Sequence, residues 1–85
     1  MRVLIPSPLQ SYTASATVDA QGATLGEVLA DLDRRYPGIR FRMIDEQGRT
    51  RRHMRFFVNG TAVFDPSVPL AESDELAIVQ ALSGG

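Results

Sequence analysis

The sequence predicts an α+β domain in which one amphipathic helix covers one mixed β-sheet. Three observations carry that expectation. Leu25, Val28, Leu29 and Leu32 recur at i, i+3, i+4 and i+7 behind the capping sequence Thr24-Leu25-Gly26-Glu27. Asn59-Gly60 stands between two apolar runs and is the signature of a type I′ hairpin, which needs positive φ at both residues. Alternating apolar runs near the two ends of the chain, 2–6 and 75–81, read as strands.

In chain order, residues 2–6 form a first strand with Val3 and Ile5 on one face and Arg2 and Leu4 on the other. Pro6-Ser7-Pro8 breaks it. A loop or hairpin leads to a weaker strand, 13–19, closed by Gln21-Gly22. The helix then opens with Thr24 at its N-cap. Its hydroxyl is expected to accept from the Glu27 amide, and the Glu27 side chain to return to the Thr24 amide. Glu27, Asp31, Asp33 and Arg34 fall off the apolar stripe. Tyr36-Pro37-Gly38 stops the helix. Residues 39–44 read as a short strand or irregular segment, and the polar stretch 45–52 as a loop. Residues 55–58 and 61–64 are the arms of the Asn-Gly hairpin. Residues 65–74, with Pro66 and Pro69, read as a loop with one helical turn around Leu70. The last strand, 75–81, points Leu76 and Ile78 to one face and Ala77 and Val79 to the other. One helix with a buried stripe needs one sheet to cover. The first and last strands can pair as parallel neighbours in the middle of a mixed sheet of four to five strands. That is the β-grasp arrangement. Residues 1–81 are expected to be this domain, and 82–85, Leu82-Ser83-Gly84-Gly85, a flexible tail.

Composition narrows the chemistry. At 85 residues there is room for one core, and 44% hydrophobic residues suffice to fill it. The net charge of -1 gives no global field for nucleic acid or an anionic membrane. No apolar run is long enough to span a membrane, and the start of the chain is too short in apolar residues for a signal peptide. A cytoplasmic protein, monomeric on its own, is expected. The chain has no cysteine, so it has no disulfide, thiolate nucleophile or cysteine-ligated metal. His53 is the sole histidine, which excludes a multi-histidine metal site. All nine basic residues are arginine, so no lysine amine or cysteine thiol can attack an activated acyl group.

The hairpin, the Thr-Leu-Gly-Glu cap, the Arg35-Tyr36-Pro37-Gly38 closure, the Val58-Asn59-Gly60 hairpin and the final Gly84-Gly85 occur in an order that resembles the ubiquitin-like sulfur carriers. These include the small subunit of molybdopterin synthase and the thiamine and cysteine sulfur-carrier proteins. The resemblance spans essentially the whole chain, and the length fits the molybdopterin and cysteine types better than the shorter thiamine type. It implies a carrier rather than an enzyme, with no bound cofactor and no metal. An E1-like adenylating enzyme would use ATP to activate the Gly85 carboxylate. A persulfide protein would displace AMP and leave a thiocarboxylate, covalent sulfur at Gly85. A biosynthetic enzyme would accept that sulfur for molybdopterin, thiamine or cysteine. Gly84 and Gly85, lacking Cβ, suit a narrow channel, and from Leu82 the tail reaches at most about 13 Å. Gly-Gly is read as the finished end of the chain, with nothing to trim.

The body needs a docking face. Alternation places Leu4, Ala77 and Val79 opposite the core, and Phe57 joins them if Phe56 and Val58 face inward. Leu4, Phe57, Val79 and Leu82 are therefore the expected partner-binding residues. Arg40, Arg42, Arg49, Arg51, Arg52 and Arg55 form a basic cluster around His53. It reads as a solvated loop balanced by Asp45 and Glu46, or as a contact to an acidic partner or RNA. Two other functions share the sequence features: a ubiquitin-like protein modifier, and a β-grasp binding module with a dispensable tail.

Overall fold

The computed structural model describes residues 1–81. Strand β1 (Arg2–Leu4) leads into a 3-10 turn (Ser7–Leu9) and a single helical turn, α1 (Gln10–Thr13). Strand β2 (Thr17–Asp19), helix α2 (Leu25–Arg35) and helix α3 (Ile39–Met43) follow, then β3 (Met54–Val58), β4 (Thr61–Val63) and β5 (Glu75–Gln80). The five strands form one mixed sheet in the order β2-β1-β5-β3-β4. β1 and β5 pair in parallel at its centre, and the other neighbours are antiparallel. This is the β-grasp arrangement.

One face of the sheet is the core. Val3, Met54, Phe56, Leu76 and Ile78 point into it from the strands. Helix α2 meets them with Leu25, Val28, Leu29 and Leu32, each at most 1% exposed, so the predicted stripe is the buried one. Thr24 caps the helix as expected, its Oγ1 accepting from the Glu27 N–H at 3.2 Å. The return bond differs by one residue: Glu27 Oε1 accepts from Ala23 N–H, not Thr24. Thr24 stands opposite Pro69 in an isolated antiparallel bridge, made by Leu25 N–H to the Val68 carbonyl and Leu70 N–H to the Ala23 carbonyl. Gly22 lies so close to the first turn of α2 that a Cβ there would stand 2.6 Å from the Val28 nitrogen.

Four local readings change. Residues 7–13 are helical rather than open loop and strand. Pro8 sits in the first turn, where its fixed φ and missing N–H are tolerated, and the turn buries Leu9 completely. Ala14, at φ 57°, ends it and leaves the second strand only three residues. Residues 39–43 are a short helix that seals the core with Ile39 and Met43. There is no helical turn at Leu70; its N–H donates to the Ala23 carbonyl, which fastens the loop beside α2. Asp31, off the apolar stripe by sequence, is buried. It accepts from Gln21 N–H at 2.9 Å and Arg35 Nε at 2.8 Å, with Arg34 also paired to it. The Gln21 N–H, foremost, and then the two guanidinium groups hold its carboxyl below the usual aspartate range.

Candidate functional site

Two features define the candidate site: the end of β5 and the sheet face opposite the core. β5 is held on both sides where it begins, Glu75 to Ala77 against β1 and Leu76 to Gln80 against β3. Its start is pinned through the hairpin. Asn59 and Gly60 take positive φ, 50° and 84°, as the turn requires. The Asn59 side chain then accepts from Glu75 N–H at 3.0 Å and donates to Asp74 Oδ1 at 2.9 Å. Asp74 also accepts from Ala71 N–H, and these two donors hold its carboxyl below the usual range. At the far end, Ala81 N–H donates to the His53 carbonyl at 2.7 Å. The chain is thus anchored up to its last described residue. Leu82, Gly84 and Gly85 lie outside the described residues.

The open face repeats the strand alternation. Register aligns Thr17, Leu4, Ala77, Phe57 and Ala62 in one row across all five strands. Phe56 and Met54 are buried on the core side, so Phe57 belongs to the open face, where it is half-buried among its row neighbours. Val79 is 42% exposed one step nearer the tail and lies opposite Arg55. Leu4, Phe57 and Val79 therefore share one surface that leads to the tail root. Two exposed aromatics were not singled out from the sequence. Phe64, 72% exposed, follows β4 in the alternation of Ala62, a signal that the run Thr61 to Phe64 already carries. Phe41 lies under the guanidinium of Arg51, 4.5 Å from ring centroid to Cζ, a pairing across ten residues that no local pattern announces.

Beside the tail root, Phe41, Arg42, Arg51, His53, Met54 and Gln80 line a shallow groove. Asp45, below the usual aspartate range chiefly because it accepts from Arg49 N–H, is the carboxylate that pairs with Arg49. Among the described residues, no cluster of His, Cys, Asp or Glu has the makings of a metal site, and no helix is long and apolar enough to cross a membrane. The arrangement places the anchored end of β5 next to an apolar surface.

The profile of the ThiS family matches residues 3–85. This chain belongs to the ThiS family. It is accordingly a ubiquitin-like sulfur carrier, a protein on which enzymes act rather than a catalyst. Across 98% of its length this ThiS-family chain is 35% identical to the sulfur carrier protein CysO of Mycobacterium tuberculosis, covering 96% of that protein. Its fold is similar to the Amycolatopsis orientalis BexX/CysO complex, with a TM-score of 0.90 at 31% identity over 99% of this chain and 98% of the other. Small archaeal modifier protein 1 of Haloferax volcanii gives a TM-score of 0.80 at 27% identity, over 96% of this chain and 97% of that one.

Proposed function

We propose that the α-carboxylate of Gly85 is the reacting group of this carrier. An E1-like enzyme transfers AMP from ATP to that carboxylate, releasing pyrophosphate. A persulfide protein then attacks the acyl-adenylate, AMP leaves, and reductive cleavage of the sulfur–sulfur bond by a thiol leaves a thiocarboxylate on Gly85. A biosynthetic enzyme takes up this sulfur, and the likeness to CysO favours cysteine formation over molybdopterin or thiamine. Leu4, Phe57 and Val79, with Leu82, form the face by which the body docks while Gly84-Gly85 threads the active site. The observation that carries this reading is the anchoring of Ala81 to His53 at the end of a central strand, beside an open apolar row. It supports a reading in which the residues after Ala81 enter a partner while the body stays docked.

The test is ATP–pyrophosphate exchange with the adenylating enzyme of the same organism. Deleting Gly85 moves the carboxylate back by about 3.3 Å. An error of 1 Å already costs roughly a hundredfold in rate, so deletion, or addition of one alanine, abolishes exchange while binding weakens little. Equal exchange by all three chains refutes the proposal. A second reading, a protein modifier joined to amines through the same end, is favoured by the likeness to the archaeal modifier. Lysine-linked conjugates carrying the chain in cell extract would support it.

A further inference from the structure

Charge is segregated along this molecule. Residues 40–55 contain six arginines and two carboxylates, a local charge of +4; the remainder holds three arginines and eight carboxylates, -5. The ion pairs follow the same division. Arg2, Arg34 and Arg35, outside the segment, each pair with a carboxylate. Within it, Arg49 pairs with Asp45, while Arg40, Arg42, Arg51, Arg52 and Arg55 have no carboxylate within salt-bridge distance among the described residues. Of these five without an ion pair, Arg42, Arg51, Arg52 and Arg55 fall around the end of β5. Arg42, Arg51 and His53 share the tail-root groove with Gln80, the last residue of β5. Arg51 and His53 also line the adjoining depression with Arg49 and Arg52, where Asp45 is the one carboxylate. Arg55 lies opposite Val79 on the open face and donates to the carbonyls of Arg52 and Met54. Arg51 is held in place, stacked on Phe41 and donating to the Phe41 carbonyl at 2.6 Å. Arg42 and Arg52 make no side-chain hydrogen bond and no ion pair among the described residues.

We infer that Arg42, Arg51, Arg52 and Arg55 form a basic collar at the root of the tail that docks on an acidic protein surface surrounding the entrance to the activating enzyme's catalytic site. The inference rests on the carrier reading and adds the chemistry of the partner. The collar joins the apolar face at Val79 and Arg55, beside the end of β5. A protein surface is favoured over RNA because the remainder of the chain, at -5, repels an extended polyanion, whereas a local acidic rim meets only the collar. Charges so placed act chiefly by steering encounter, which raises association rates tenfold or more at low salt.

The test measures ATP–pyrophosphate exchange at subsaturating carrier, reporting kcat/KM with the same-organism adenylating enzyme, at about 50 mM and roughly 300 mM NaCl, where screening differs strongly. Wild-type kcat/KM is expected to fall severalfold or more with salt. Arg42→Gln/Arg52→Gln should lower it about tenfold at low salt, leave kcat unchanged and flatten the salt response. Gln21→Glu/Ser73→Glu makes the same change in net charge at the other end of the sheet and should stay within about twofold of wild type. Thermal melts of both variants matching wild type confirm the fold. Wild-type exchange that ignores both salt and the arginine substitutions overturns the collar alone. So does an equal loss in the Gln21/Ser73 control, which would assign the effect to net charge. A fluorescent oligouridine bound by wild type and lost by Arg42→Gln/Arg52→Gln, with exchange unaffected, overturns it in favour of RNA. A wild-type chain that supports no exchange under any condition refutes the carrier reading and this inference with it.

Discussion

Truncating Leu29 to alanine probes the contact on which the whole body depends. Leu29 is in the middle of α2, 1% exposed, and belongs to the same core cluster as Val3, Phe56, Leu76 and Ile78 from the three central strands. The substitution removes three buried carbons. At about 0.8 kcal/mol per buried methylene, lost transfer energy alone is about 2.4 kcal/mol. Helix and sheet are fixed by their own hydrogen bonds and close up incompletely, so a cavity penalty brings the total to about 3–5 kcal/mol. A domain of 85 residues has about 4–13 kcal/mol to lose. The variant should therefore be folded marginally at 25 °C, with a Tm lower by roughly 12–30 °C. Urea unfolding followed by far-ultraviolet circular dichroism measures it: the midpoint falls and the slope is unchanged. Phe64→Ala, at an exposed side chain, serves as the comparison and should change stability by about 0.5 kcal/mol or less. A Leu29→Ala loss below about 1 kcal/mol, or one no greater than that of Phe64→Ala, would refute the argument that this helix–sheet contact organises the core.

Two further outcomes follow from the geometry. Phe57→Glu places a charge in the open apolar row but removes nothing from the core; stability should move by about 1 kcal/mol or less, while affinity for the adenylating enzyme, read by titration calorimetry, falls roughly thirtyfold as for an interface hot spot. Unchanged affinity would remove this face from the docking surface. Asp31, Asp45, Asp65 and Asp74 all ionise more readily in the fold than an ordinary aspartate, so the unfolded chain binds more protons in acid. Their stabilisation is complete above the unfolded aspartate value of about 3.9 and is lost as pH falls through the lower folded values. Asp31→Asn should weaken the protein at neutral pH and flatten its stability profile below about pH 4; a profile as steep as wild type in urea melts across that range would show that Asp31 contributes nothing to the acid response.

The amino-acid sequence by itself determined the helix α2, the Asn59-Gly60 hairpin and the two-faced central strands. Each is set by neighbours a few residues apart: a cap three residues from its partner, a stripe of period 3.6, a turn that needs two positive φ angles, an alternation of period two. The same alternation assigned Leu4, Phe57, Ala77 and Val79 to the open face before their strands were placed side by side. What the pattern left out was decided by packing. Ser7 to Thr13 became helical because Leu9 found a place in the core, and Ile39 to Met43 because two apolar residues close a gap beside α2. Asp31 looked like a solvent-facing acid on the helix, yet the Gln21 N–H arriving from ten residues away makes it a buried acceptor. The tail root depended on tertiary contact in the same way. The Arg51–Phe41 stack, the bond from Ala81 to His53 and the gathering of free arginines around Gln80 join segments that are distant along the chain. Local composition sets which groups are present. Only the folding of β3 against β5 brings them to the end of β5, because cross-strand register acts between residues whose separation in sequence carries no period.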